Sequence, residues 1–280
     1  LRLRFLNLCI LFKPPPSPPK AKAVVAKARA PRPTLVGREE ELAALAALLD
    51  VDGSPIIVKG PRGSGRRWLI EAALSASELK RVPDFTFSRG SGIDAFASVL
   101  AMLARESGDP SLHEALTAKD GPAPAALADL IVSVAQGQGL ADKVWVLHGL
   151  DTLLDRRDCS FYRSGRLEMA LRKLLVSELK LRLVFPATMA ATFYREGEAA
   201  IRRDLVLGGL KGRELHELFA AWHAPEFPRD RFGAIQERVH GHPIAARCFA
   251  LALSETEDGD VEALLEQPRF MKADALDDHR

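Results

Sequence analysis

The sequence predicts an α/β fold in which a parallel sheet is covered by helices and is followed by a small helical domain. Short apolar runs suited to buried strands alternate with longer segments whose apolar residues recur at helical spacing. Three such runs are Ile56–Val58, the run that begins at Lys143, and Leu181–Phe185. A glycine-rich loop follows the first run and leads into a helical segment. Strands that alternate with helices in this way are typical of parallel sheets.

The length and composition limit the classes of protein to which this chain can belong. The chain has 280 residues, of which 47% are hydrophobic and 27% are charged, enough for one or two ordinary domains. No stretch approaches the run of about 20 apolar residues that crosses a bilayer, so the sequence predicts a soluble protein without a membrane span. Cys9, Cys159 and Cys248 are far apart and odd in number. They predict a reducing intracellular compartment, either the cytoplasm or the mitochondrial matrix, and no disulfides.

Residues 1–33 form a basic tail that differs from the rest of the chain. They carry eight Lys and Arg side chains and no acid, which leaves a net charge of about −6 on the remainder. The segment KPPPSPPK (Lys13–Lys20) predicts extended backbone. We interpret the tail as a linker or as an anchor for protein partners, although acid-poor segments are also typical of mitochondrial transit peptides. The chain begins at Leu1 rather than at a methionine, which predicts a piece of a longer protein or a processed product.

The segment after the tail, Leu35–Asp50, predicts an amphipathic helix. Its acidic side chains fall in the first turn, where they favour a helix N-terminus. Its leucines recur at the spacing of one helix face, at positions Leu42, Leu45, Leu48 and Leu49.

The stretch Pro55–Leu74 predicts a strand, a glycine loop and a helix. Its glycines allow left-handed turns and close backbone approach to a phosphate, and the new helix presents its positive end there. This is the arrangement of a P-loop, whose pattern is G-x-x-x-x-G-K-[ST]. Here Arg66 stands at the Lys position and Arg67 at the Ser or Thr position. We therefore expect the loop to bind an anion and to hold magnesium poorly, because a cation replaces the hydroxyl ligand.

The rest of the chain predicts further strands and helices. They are a strand at Asp84–Gly90, helices at Asp94–Arg105, Ala123–Gln136 and Leu167–Leu179, and helical regions within Leu205–Trp222 and Arg231–Leu253. The loop Arg156–Arg166 is basic and carries Phe161 and Tyr162. We interpret it as a solvated loop; nucleic-acid binding is the alternative, because arginines and aromatic rings stack on bases.

From Leu35 onward the order of these motifs resembles the ATPase module of STAND and related AAA+ proteins, which include NACHT and NB-ARC switches, large LuxR-type regulators and origin-recognition relatives. The likeness rests on VGREEEL, the glycine loop, KVWVLHGLD and GHP, in that order. It implies a three-layer P-loop NTPase fold with a parallel sheet, followed by a small helical lid. It divides the chain into the tail at 1–33, a nucleotide-binding domain at 34–208, a lid at 209–268 and a polar tail at 269–280.

The resemblance also implies a site for ATP or ADP. In the family, the V-G-R-E segment and the proline of the G-x-P motif lie against the adenine, and the glycine loop holds the phosphates. The residues assigned to the nucleotide in this way are Val36, Gly37, Arg38, Gly60, Arg62, Gly63, Ser64, Gly65, Arg66, Arg67 and Pro243.

The positions that would serve magnesium and the γ-phosphate depart from the family pattern. KVWVLHGLD resembles the Walker B segment, with His148 at the position of the magnesium-associated Asp, Asp151 as the second acid and Thr152 at the Glu position. The sensor strand ends at Thr188 without an arginine. Phosphoryl transfer depends on magnesium and on positioned charge. These losses predict that the protein does not hydrolyse ATP, and we assign no catalytic residue and no metal ligand.

The motifs together predict a structural or regulatory subunit of a larger assembly, in the cytoplasm or in an organelle. Two alternatives are a nucleotide-dependent STAND signalling switch and an active ATPase that uses Arg66 in place of the P-loop Lys. Four histidines lack the spacing of zinc ligands, and we interpret them as unrelated surface or turn residues. They are His216, His223, His240 and His242.

Overall fold

The computed structural model describes most of the chain after the basic tail. The described residues are 35–88, 93–118, 123–155, 161, 165–188, 203–221, 231–255 and 261–266. The tail at 1–33, most of the basic loop at 156–166 and the polar end at 269–280 lie outside them, so the predictions for those segments stay predictions. None of the described helices is both long and apolar enough to span a bilayer.

The core of the fold is a five-stranded, all-parallel sheet, which confirms the predicted α/β class. Its strands are β1 (Ile56–Lys59), β2 (Lys80–Thr86), β3 (Lys143–His148), β4 (Arg182–Ala187) and β5 (Arg203–Val206). Their order across the sheet is β2-β3-β4-β1-β5. The central strands are apolar on both faces because helices cover both, as is usual for parallel sheets.

Helices lie on the two faces of the sheet in separate layers. They are α1 (Glu39–Asp50), α2 (Arg66–Ala76), α3 (Ile93–Ala104), α4 (Pro110–Thr117), α5 (Pro124–Ala135) and α6 (Arg166–Leu175). Side chains of α1 and α2 pack with Ile56 and Val58, whereas side chains of α3, α5 and α6 pack with Ile57. Successive strand residues point to opposite faces, so the chain forms three layers, with the sheet in the middle.

Four helices at the end of the described chain form a cluster with its own apolar core. They are α7 (Gly212–Ala221), α8 (Phe232–Val239), α9 (Pro243–Glu255) and α10 (Val261–Glu266), and we call them the helical unit. Their core includes Leu215, Ile235 and Phe249, all fully buried. Val36, which precedes α1, packs against this core.

Some element boundaries differ from those that the sequence predicts. Strand β2 begins at Lys80, four residues before the predicted start. The first two residues, Lys80 and Arg81, are polar and exposed on an edge strand, so they give no apolar signal in the sequence. Helix α4 is not foreseen, although Asp109 caps it and Pro110 fills its first turn. Helix α6 ends at Leu175 rather than at Leu179, whose backbone instead bonds to Gly53.

The order of the strands defines where a ligand site is expected. The connection from β1 leads to β2 at one edge of the sheet, whereas the connection from the neighbouring β4 leads to β5 at the other edge. Ligands of open α/β sheets bind beyond the carboxyl ends of strands at such a switch point. We therefore expect a ligand site at the residues that follow β1 and β4.

Candidate functional site

The glycine loop, Gly60–Gly65, joins the carboxyl end of β1 to α2. Its first residue donates its N–H to the carbonyl of Ala187 at the end of β4, at 3.2 Å. Gly63 and Gly65 have φ values of +84° and +94°, a region that favours glycine. A side chain at Gly60 would also be too close, since an added Cβ would lie 2.6 Å from Ser64 Oγ. The glycines therefore allow a tight loop at the switch point.

Arg66, the first residue of α2, has a guanidinium nitrogen without a partner. Its Nη1 atom is buried and donates to no acceptor among the described residues. Burial lowers the pKa of Arg66, and the nearby carboxylate of Asp151 works in the opposite direction. Arg62 and Arg67 are exposed beside it, on the loop and on α2. Three guanidinium groups thus lie near the positive end of a helix.

Ser64 is the most enclosed side chain of the glycine loop. It is 1% exposed, and its hydroxyl oxygen has no hydrogen-bond partner within the described part of the chain. Its backbone N–H donates to Pro61 at 3.1 Å, which closes the loop on itself. A buried polar atom without a partner costs about 1–3 kcal/mol. The loop and the first residue of α2 therefore each have a polar group without a partner among the described residues, one from Ser64 and one from Arg66.

Asp151 and Thr188, each predicted near the end of a strand, lie in contact in the structure. Asp151 lies in a short helical turn after β3, and both of its carboxylate oxygens accept the backbone N–H of Thr188, at 3.0 and 2.9 Å. The contact uses the Thr188 backbone and not its hydroxyl. The carboxylate therefore ties the end of β3 to the end of β4, beside Arg66.

His148 lies in a different environment, at the end of β3 that faces the edge strand. Its Nε2 atom donates to Asp84 at 2.9 Å, and Asp84 also accepts two hydrogen bonds from Arg81. The Arg81 guanidinium in turn donates to both carboxylate oxygens of Glu71 on α2, at 2.7 and 2.8 Å. We call these four residues the His148 network. Its imidazole is engaged with the edge strand and not with the glycine loop.

The pKa values in the His148 network follow from these pairs. Burial acts to raise the pKa of Asp84, but hydrogen bonds from Arg81 and His148 outweigh it and the pKa is lowered. The hydrogen bond from Arg81 likewise lowers the pKa of Glu71. Both carboxylates are therefore held in the charged form, and the two of them raise the pKa of Arg81.

Arg38, which the resemblance places against a base, is buried at 4% exposure. Its guanidinium donates to the carbonyl oxygens of Ser64 and Gly208, at 3.3 and 2.7 Å, and to Glu41 at 2.6 Å. Gly37 beside it has a φ of +68°, and an added Cβ would overlap Glu214 of α7. The V-G-R segment therefore joins α1 to the glycine loop and to the helical unit.

The helical unit contacts the glycine loop through the residues around Pro243, the first residue of α9. His242 donates its Nε2 proton to the carbonyl of Arg62 at 2.6 Å. A Cβ added at Gly63 would lie 2.7 Å from the His242 ring and 2.6 Å from Ile244. The structure places His242 directly before α9, where its ring also bonds to the glycine loop, a contact that the interpretation as a turn histidine did not include. Its place in GHP, directly before the proline assigned to the nucleotide, was the signal for this contact.

The donors at the loop fit a phosphate group and do not fit a magnesium ion. Phosphate oxygens accept hydrogen bonds, and Arg66 Nη1 lacks an acceptor in the part of the chain that the structure describes. Magnesium needs several oxygen ligands, whereas the residue at the hydroxyl position is Arg67 and the Asp151 carboxylate accepts the Thr188 N–H. Within the described ranges, no group of three or more His, Cys, Asp or Glu side chains is arranged to hold a metal ion.

Comparison with known proteins adds no relative. No protein-family model matches the chain, and a search of curated proteins gives no significant match. The likeness to STAND and AAA+ modules therefore rests on the motifs and stays a prediction.

Proposed function

We propose that the glycine loop binds the phosphate groups of ATP or ADP without magnesium, and that the protein holds this nucleotide without hydrolysing it. In this view the chain is a degenerate AAA+/STAND-like module that acts as a structural or regulatory subunit of a larger assembly. The motif order supports the nucleotide, and the loop geometry supports binding through phosphate.

The observation that carries the proposal is the Nη1 atom of Arg66, which has no hydrogen-bond partner among the described residues. It is buried beside a glycine loop and the N-terminus of an 11-residue helix, where orphan N–H groups favour an anion. A phosphate oxygen would supply the missing acceptor. A hydrogen bond to a charged group contributes about 1.5–3 kcal/mol, so one phosphate contact removes the cost of burying this nitrogen and adds to affinity.

Three residues support the absence of hydrolysis. Arg67 offers no hydroxyl to magnesium, and the His148 imidazole is bonded to Asp84. Asp151 binds the backbone N–H of Thr188 through both carboxylate oxygens. A site that lacks the metal lacks the charge that bridges the phosphates in phosphoryl transfer.

A nucleotide that is held and not consumed can act as a structural cofactor. A ligand that binds only the folded state at 100 times its Kd stabilises that state by about 2.7 kcal/mol. The glycine loop contacts β4, α1 and the helical unit. A ligand bound to the loop would thus stabilise the parts of the structure that meet there, which suits a subunit whose role is assembly.

The first experiment is to denature the purified protein and run the supernatant on an anion-exchange column to detect released nucleotide. The nucleotide-free protein is then titrated with ADP by calorimetry, in magnesium and in EDTA. We expect Kd values that agree within about twofold in the two buffers, because no ion takes part. Arg66→Gln should weaken ADP binding about 10- to 100-fold, since it removes a charge-assisted hydrogen bond.

The matched control is Arg213→Gln on α7, an arginine whose side chain is 91% exposed and pairs with Glu217. It should bind ADP as the wild type does. Absence of released nucleotide together with absence of ADP binding would overturn the proposal and leave the fold as a scaffold. Steady-state phosphate release from ATP above that of Arg66→Gln would establish an active ATPase instead, and a change in mass between ADP and ATP would favour the signalling switch.

A further inference from the structure

Two side chains from outside the glycine loop hold two of its backbone carbonyls. Arg38 Nη2 donates to the carbonyl of Ser64 at 3.3 Å, and His242 Nε2 donates to the carbonyl of Arg62 at 2.6 Å. Arg38 comes from the segment before α1, and His242 comes from the turn before α9. The loop is therefore held from two directions by residues far apart in the sequence.

Holding a carbonyl also fixes the N–H group that follows it. A trans peptide is planar, and its C=O and N–H bonds point in opposite directions. Because the Ser64 carbonyl points toward Arg38, the N–H of Gly65 points away from Arg38. In the same way the N–H of Gly63 points away from His242. A Cβ added at Gly65 would meet no atom within 4 Å other than those of its chain neighbours.

The guanidinium of Arg38 is enclosed by the protein and bonded to three of its oxygens. It is 4% exposed and bonds to Ser64, Gly208 and Glu41. A base stacked on or bonded to this group would need surface that the folded protein does not offer. This geometry differs from the role that the family resemblance implies for the arginine.

We propose that Arg38 and His242 are positioning residues that orient the Ser64–Gly65 and Arg62–Gly63 peptides for phosphate binding, and that Arg38 does not contact the base. The ligand class that follows is a diphosphate or triphosphate recognised by its phosphate chain. This inference rests on the proposed function, because it explains how the same loop selects its ligand.

The test compares pyrophosphate, which has no base, with ADP. In the wild type we expect calorimetry to detect binding of both. Arg38→Met should lower the affinity for both ligands by the same factor, about tenfold, because the loop that meets the phosphates loses its orientation. A role in binding the base would lower the affinity for ADP and leave that for pyrophosphate unchanged, and would overturn the inference.

A second variant keeps the test valid if Arg38→Met fails to fold. His242 is half-buried at the surface of the helical unit, and His242→Ala should fold while releasing the Arg62 carbonyl. It too should weaken pyrophosphate and ADP equally. A purely structural role for either residue would lower the melting temperature and leave both affinities unchanged at a temperature where the variant is folded; that result contradicts the inference.

The wild-type measurements distinguish a failure of this inference from a failure of the proposed function on which it rests. If the wild type binds neither pyrophosphate nor ADP, the proposed function fails and this inference fails with it. If the wild type binds both ligands and the two variants bind them with unchanged or unequal affinities, the inference alone fails. Arg213→Gln serves again as the control that should change neither affinity.

Discussion

The glycine loop and the His148 network are two polar regions beside the parallel sheet, and they differ in how their polar groups are satisfied. In the loop, Ser64 Oγ and Arg66 Nη1 are buried without a partner among the described residues. In the network, the carboxylates of Asp84 and Glu71 are both bonded to Arg81. The first region has polar atoms without partners among the described residues, and the polar groups of the second are paired with one another.

Both regions contain a basic residue where the family pattern has another type, and the outcomes are opposite. Arg66 keeps a cation at the Lys position and leaves one of its nitrogens without an acceptor. His148 replaces an acid, and the neighbouring edge strand supplies Asp84 as its partner. Under the proposed function, the position that keeps a cation has a nitrogen without a partner among the described residues, whereas the position that loses its acid is satisfied by the protein itself.

The largest expected effect on stability comes from adding a side chain to a glycine of the loop. Gly63→Ala should destabilise the protein by about 2–3 kcal/mol, because it adds strain at a positive φ and forces the His242 ring and Ile244 to move. Gly65→Ala has the same kind of strain but open space around it, and should cost about 1 kcal/mol. Urea unfolding of both variants measures the difference.

Titration with ADP gives a second comparison of these two variants, through their binding affinities. Gly63→Ala displaces the contact between the loop and the helical unit, so it should bind ADP more weakly than Gly65→Ala. Equal stability of the two variants would mean that the helical unit does not press on the loop as the described contacts indicate.

The next effect is the pH dependence of the His148 network. The folded-state pKa values of Asp84 and Glu71 are lowered, so their contribution is present above the unfolded values of about 3.9 and 4.3 and is lost as the pH falls through the folded values. Arg81→Met removes the main partner of both carboxylates. It should lower the free energy of unfolding by about 1–2 kcal/mol at pH 7, allowing for partial exposure of these groups.

Urea unfolding from pH 7 to pH 3 checks the sign. The difference in the free energy of unfolding between wild type and Arg81→Met should become smaller below about pH 4. Protonation of the carboxylates removes the same interaction from the wild type there. The control Arg213→Met, with a side chain that is 91% exposed, should follow the wild-type profile. A gap that stays constant down to pH 3 would show that Arg81 acts through packing alone.

The smallest effect is expected at His148. A glutamine amide can still donate to Asp84, so His148→Gln should change the free energy of unfolding by less than about 1 kcal/mol. Calorimetry should show unchanged ADP affinity in magnesium and in EDTA. Weaker ADP binding in this variant would show that the His148 network and the glycine loop belong to one site.

Much of the fold follows from the sequence because strong local patterns coincide with buried elements. The apolar run Ile56–Val58 lies within β1, and the leucines of Leu35–Asp50 form the buried face of α1. The start of β2 escapes prediction because its exposed edge residues Lys80 and Arg81 carry no apolar signal. Helix α4 escapes for a similar reason, since it has no fully buried residue to mark it.

The site is less accessible to sequence reasoning because its defining contacts join distant segments. The glycines indicate the loop, but the contact of Asp151 with the backbone of Thr188 depends on the strand order, which the sequence does not give. Nothing local indicates that Asp84 pairs with His148, 64 residues away. The same holds for Arg38, whose burial depends on carbonyls of Ser64 and Gly208 that only the folded chain brings together.

The edge strand β2 has a further consequence for the behaviour of the protein at high concentration. Pro83 lacks an N–H group, and the pairing of β2 with β3 shifts between Val82 and Phe85, where the Trp145 indole donates to the Pro83 carbonyl. A proline and a bulge interrupt the regular row of backbone groups that another chain would need as a template. This edge of the sheet is therefore protected against strand-by-strand aggregation into fibrils.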